Sequence, residues 1–234
     1  MTIETLTPVE LQRLLLQHGY DLPKYGADGD WGSESAAACE AWFGVGTDLA
    51  LDAGDAPVGS AGVVPPDWMP ACLMERIIVH WTAGSYIVSS TDLEHYHIIV
   101  DGDGVLYRGD HSIKANVSTS DADGYAAHTK SLNTGSIGIS AACMAGASES
   151  PFQAGGYPLK LVQWMTLSAI AADLCIAYGI EVTPETVLQH GEVEDHLGVE
   201  QSGKWDINVL PWAPEEDAGD LFRQNVSRIL EARR

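Results

Sequence analysis

Of the eight histidines in the 234-residue chain, seven fall between positions 80 and 196: His80, His95, His97, His111, His128, His190 and His196. Acids crowd around the last of them, at Glu192, Glu194, Asp195 and Asp206. Neutral imidazole and carboxylate are natural zinc donors, and a catalytic zinc keeps three protein ligands plus one open position. Spacing alone does not define a metal site, because no HExxH helix is present. The four cysteines, Cys39, Cys72, Cys143 and Cys175, contain no CxxC pair. A zinc ribbon or thioredoxin-type site is therefore excluded, and the cysteines read as buried free thiols.

The elements that must position these histidines can be read from hydrophobic pattern. Arg76-Ile77-Ile78-Val79-His80 is a β-branched run expected to form a buried strand with His80 at its end. Val187-Leu188-Gln189-His190 suggests a late strand ending at His190. Strand ends are where α/β folds gather their sites. Tyr96-His97-Ile98-Ile99-Val100, the turn Asp101-Gly102-Asp103-Gly104 and Val105-Leu106-Tyr107-Arg108 read as a hairpin. Ser136-Ile137-Gly138-Ile139-Ser140 is a further strand. Leu159 to Tyr178 is apolar on most faces and stops at Gly179, as a buried helix with a C-terminal glycine does. Pro214-Glu215-Glu216-Asp217 opens a last helix whose acids suit its positive end. The expectation is an α/β domain, a mixed central sheet flanked by helices, over residues 70–234.

Ahead of it, residues 1–45 form a small all-α unit. Thr7-Pro8-Val9-Glu10 combines helix-start signals, Leu11, Leu14 and Leu15 give an apolar face, and Gly19 ends the helix. A turn, Asp28-Gly29-Asp30-Trp31-Gly32, leads to a second helix from near Ser33 to Phe43. Residues 46–69, rich in Gly, Ala, Asp, Val and Pro, read as a linker closing in Pro65-Pro66.

Composition narrows the function. Twelve basic against 33 acidic residues leave a formal charge of −21, and no run of Lys or Arg exists to meet phosphates, so nucleic acid is excluded as a partner. Hydrophobic residues at 45% suit a globular fold. No apolar run reaches the roughly 20 residues that span a bilayer, so no membrane insertion is expected. Met1-Thr2-Ile3-Glu4 carries neither the basic nor the apolar part of a secretory signal. The expectation is synthesis in the cytoplasm, and a monomer.

Two resemblances give these segments a function. Glu10-Leu11-Gln12-Arg13-Leu14-Leu15, His18-Gly19-Tyr20 and Asp28-Gly29-Asp30-Trp31-Gly32 resemble the small helical peptidoglycan-binding domain of cell-wall hydrolases. Ser35 and Trp42-Phe43 depart from that pattern. The second covers the histidine-rich region. Ile77-Ile78-Val79-His80-Trp81-Thr82, Tyr96 to Gly104, Ala127-His128-Thr129-Lys130 with Asn133 to Ile139, and Gln189-His190 with Lys204-Trp205-Asp206 occur in the order seen in type-2 N-acetylmuramoyl-L-alanine amidases. Phage endolysins and peptidoglycan-recognition proteins share that domain.

The resemblance implies a zinc (Zn2+) held by His80, His190 and Asp206, with His196 and the acids at 192, 194 and 195 left as solvated loop residues. It implies peptidoglycan as partner and hydrolysis of the amide between N-acetylmuramic acid and L-alanine. Lys204 would stabilise the oxyanion, Tyr96 would contact the water or the intermediate, and His128 would face the substrate. Alternation along the chain sets Tyr96 and His97 on opposite sides, leaving His97 as a packed histidine. His95 and His111 match nothing and read as surface or loop residues. Many relatives place a glutamate after S-I-G-I as general base, where this chain has Ser140, and Ile207-Asn208 replaces the usual proline-glycine. A phage-type endolysin reaching the wall by holin-type release is the expected setting. A non-catalytic peptidoglycan receptor, marked by loss of the third ligand, is the alternative.

Overall fold

A computed structural model describes residues 62–120 and 124–233. The helical unit expected over residues 1–45 lies outside them. Residues 62–226 form one compact unit, and its centre is a five-stranded sheet in the order β3-β2-β4-β1-β5. The strands are β1 (Arg76–Trp81), β2 (Ile98–Val100), β3 (Leu106–Arg108), β4 (Ser136–Ala141) and β5 (Val187–Gln189). β1, β2, β4 and β5 run parallel, and β3 pairs antiparallel with β2 at the edge. The mixed sheet and the hairpin agree with the sequence pattern. A turn at Asp101–Gly104 closes the hairpin, with the Asp101 carboxylate accepting from the backbone N–H groups of Asp103 and Val105.

Both faces of the sheet are covered, as near-continuous apolar strands require. Ile77, Ile78, Val79, Ile137 and Ile139 are fully buried. Of the helices, α1 is Ser90–His95, α2 Leu161–Tyr178, α3 Val193–Leu197 and α4 Ala218–Ala232. α2 packs on β1, β2 and β4 and ends at Gly179, whose φ of 66° is the left-handed conformation glycine adopts without strain. Trp164 of α2 meets Phe222 of α4 edge-on at 5.0 Å. α2 is long and apolar enough to cross a bilayer by length and composition, but here it is a core helix. Its buried Gln163 donates to the carbonyls of Val100 and Ala142, and Asp173 accepts from Val64 N–H.

The structure differs from the sequence reading at several element ends. α1 was not expected. It is six residues long, too short for a hydrophobic period, and Ser89 and Asp92 cap each other reciprocally at its start. α3 occupies what reads as an acidic loop. α4 begins at Ala218, four residues after the proline, with Asp217 accepting from Asp220 N–H at 2.7 Å.

Candidate metal centre

The sheet order brings β1 and β5 side by side, with Ile78 opposite Leu188 and Val79 opposite Gln189. Their parallel ends deliver His80 and His190 to the same edge, and the two rings lie 4.6 Å apart. Ile78 and Leu188 pack with Val193 beneath them as an apolar floor. Asp206 comes from the later loop. Gly191 N–H donates to its carbonyl at 2.7 Å, and Trp205, next to it, meets Trp81 edge-on at 4.7 Å. A side chain at Gly191 would strike Asn208, 2.1 Å from its Cβ position, so glycine lets the segments that carry His190 and Asp206 approach.

His80 Nδ1 and His190 Nδ1 lie 3.0 and 3.1 Å from the same Asp206 oxygen, Oδ2. One donor atom from each of the three residues lies within 4.8 Å of the others, and all three residues are buried. His128 orders the outer nitrogen of His80. That Nε2 is 3.2 Å from His128 Nδ1, and His128 Nε2 faces the Ser136 carbonyl at 3.4 Å. A carbonyl only accepts, so His128 carries its hydrogen on Nε2, and its Nδ1 accepts from His80 and from the Thr129 hydroxyl. Neutral His80 therefore presents a bare Nδ1 to Asp206.

The electrostatics match. Burial lowers the His80 pKa to about 4, with His190 and Lys204 adding to the effect against the pull of Asp206. Burial pushes His128 well below its usual range. For Asp206, burial acts upward, but hydrogen bonds from His190 and His80 override it and lower the pKa to about 2, which takes a proton on the facing Nδ1 atoms. With the imidazoles neutral and their Nδ1 atoms bare, lone pairs and a carboxylate oxygen face one point with no donor between them, an arrangement that a cation among them satisfies. Two imidazole nitrogens and a carboxylate suit zinc in chemistry and number.

Around this centre, Tyr96 sets its ring 5.1 Å from that of His80. Burial, then the nearby Asp206 charge, raises its phenol pKa. Ser140, in register with His80 on β4, is buried near Tyr96. Its hydroxyl faces the Tyr96 phenol, on which it acts to lower the pKa. Lys204 is exposed, two residues before Asp206. His128 is only 7% exposed and lies on Gly138, where an added Cβ would come within 2.4 Å of its ring. His97 turns away from the centre, its Nδ1 accepting from Gly138 N–H at 3.0 Å. His196 lies on α3, exposed and outside the cluster. His95 bonds back to the Thr91 carbonyl.

Two contributors escape the sequence reading. Gln201 places Oε1 3.0 Å from His190 Nε2. Glu192 is not a solvated acid: Arg223 grips both its oxygens at 2.9 and 3.0 Å, and it accepts from Gln189 N–H at 2.7 Å. Arg223 also donates to the Val187 carbonyl, so the pair clamps both ends of β5. Arg223 stands 31 residues beyond Glu192, and no local pattern links them.

The family model of N-acetylmuramoyl-L-alanine amidases matches residues 70–208, more than half of the chain, and the protein belongs to that family. Among solved structures it is similar to the endolysine N-acetylmuramoyl-L-alanine amidase LysCS from Clostridium intestinale URNW, with 17% identity, 56% of this chain and 76% of that chain covered, and a TM-score of 0.34. The Ph2119 endolysin of Thermus scotoductus MAT2119 bacteriophage Ph2119 shares 18% identity over 68% of this chain and 88% of that one, with a TM-score of 0.40. The Staphylococcus aureus hydrolase AmiA shares 15% over 68% and 74%, with a TM-score of 0.41. A search of curated proteins finds no match.

Proposed function

We propose that this amidase-family protein is a zinc-dependent hydrolase of peptidoglycan that cuts the amide between N-acetylmuramic acid and L-alanine, working on the cell wall in the manner of an endolysin. The observation that carries the zinc reading is the buried convergence of His80, His190 and Asp206 on one point. Zinc held by these three residues would supply Lewis acidity toward the scissile carbonyl and toward water. Lys204, exposed two residues before Asp206, offers its ammonium to the negative charge that develops on the carbonyl oxygen. The Tyr96 phenol stays protonated through neutral pH and can donate a hydrogen bond to the same region. His128, buried behind His80, keeps that ligand's lone pair aimed at the centre. No glutamate occupies position 140, so the proton of the attacking water passes to bulk solvent. The motifs of residues 1–45 support a wall-binding role for that segment.

Purified sacculi give the test. Clearing that a chelator abolishes and zinc restores, with new N-terminal alanine and no new reducing ends, is the expected result. Binding to sacculi without clearing under any metal condition would make the protein a receptor instead.

A further inference from the structure

Gln201 lies in the Gly191–Gly203 segment and is 3% exposed. All of its amide is committed. Nε2 donates to the carbonyls of Lys130 and Val199, each at 3.1 Å, and Oε1 lies 3.0 Å from His190 Nε2. Two carbonyls accept and cannot donate, so the end of the amide that faces them is the NH2 group. The oxygen is thereby turned to His190, and only a protonated Nε2 satisfies it. His190 is held with its hydrogen on Nε2 and, when neutral, its lone pair on Nδ1, the atom 3.1 Å from Asp206.

We propose that Gln201 is a positioning residue for the metal site, setting the tautomer and ring rotation of His190 before any metal arrives. The proposal rests on the reading of His80, His190 and Asp206 as ligands. It also assigns a task to the loop His128–Asn133. Asn133 Oδ1 accepts from the backbone N–H groups of His128 and Thr129 at 3.0 and 2.9 Å, folding the loop into a fixed turn. From that turn His128 reaches Nε2 of His80, while the Lys130 carbonyl holds Gln201. One loop thus braces the outer nitrogens of both imidazoles, one directly and one through Gln201. Leu132, Leu197 and Val199 pack against the Ile78–Leu188–Val193 floor, which ties the two loops to the sheet.

The test uses the full chain labelled with 15N at histidine. Two-bond nitrogen–proton spectra of the metal-free protein at about pH 8, where imidazoles are mostly neutral, report each tautomer. Zinc affinity is measured by competition with a chromophoric chelator. In the wild type, His190 should show the Nε2–H form. In Gln201→Leu it should become a mixture, with zinc affinity falling about 10- to 100-fold. Ser202→Ala, which removes only the exposed Lys130–Ser202 contact, should change neither. An Nδ1–H form of His190 in the wild type would overturn the proposal whether or not the variant folds. An unchanged tautomer and zinc affinity in folded Gln201→Leu would do the same. Failure of the wild type to bind zinc would sink the metal reading instead, while the tautomer comparison would still judge Gln201.

Discussion

Position 138 has room for no side chain. His128 packs on its Cα, His80 hydrogen-bonds to His128, and the lone pair of His80 aims at Asp206. Gly138→Ala should push the His128 ring away and lower zinc affinity at least tenfold, with hydrolysis falling in parallel; chelator competition reads the first and sacculus clearing the second. Lys204 belongs to a different class, since it is exposed and outside the ligand cluster. Lys204→Ala should keep one zinc per chain and bind sacculi normally while turnover drops about 10²- to 10³-fold, the scale of losing one oxyanion-stabilising group. A proportional loss of zinc would show that Lys204 acts through the metal site. The convergence of His80, His190 and Asp206 was legible because each sits beside a run of characteristic neighbours. Gln201 was not. Its role depends on two carbonyls, one of them 71 residues away, and a glutamine in a polar loop carries no signal of its own.

At the scale of elements, the parallel ends of β1 and β5 do the positioning, and the Glu192–Arg223 pair holds β5 in place. Both side chains are mostly buried, at 13% and 9% exposure. Arg223→Met would leave the mostly buried Glu192 charge without its guanidinium, so urea unfolding should show a loss of about 3 kcal/mol. Replacing both partners with apolar residues should cost less than this, because the buried charge is then gone as well. The strands and α2 were legible from β-branched runs and from a long apolar stretch closed by glycine. α1 and α3, at six and five residues, are too short for a period to emerge. Only the Ser89–Asp92 cap betrays α1 in the sequence. The start of α4 shifted because Asp217, not the proline three residues earlier, caps it.

For the whole molecule, buried neutral histidines couple stability to pH. Burial lowers both His80 and His97 to about 4 from an ordinary 6.5. As pH falls through 6.5, the unfolded chain takes up protons that the folded chain refuses until about pH 4. The unfolded state binds more protons in that window, so stability is full above it and declines toward pH 4, by at most about 1.4 kcal/mol per pH unit for each histidine. Urea unfolding of chelator-treated protein across pH 4 to 7 should show the decline, and His97→Gln should make it shallower. A flat profile would mean that these rings are not buried as neutral groups. The central claim, that His80, His190 and Asp206 hold the metal on which hydrolysis depends, is tested most directly by adding zinc stepwise to metal-stripped protein while following sacculus clearing. Activity should rise linearly and level off at about one zinc per chain in the wild type, and should stay at background in Asp206→Ala. Full clearing by the metal-stripped wild type, or an equal response from Asp206→Ala, would contradict the claim.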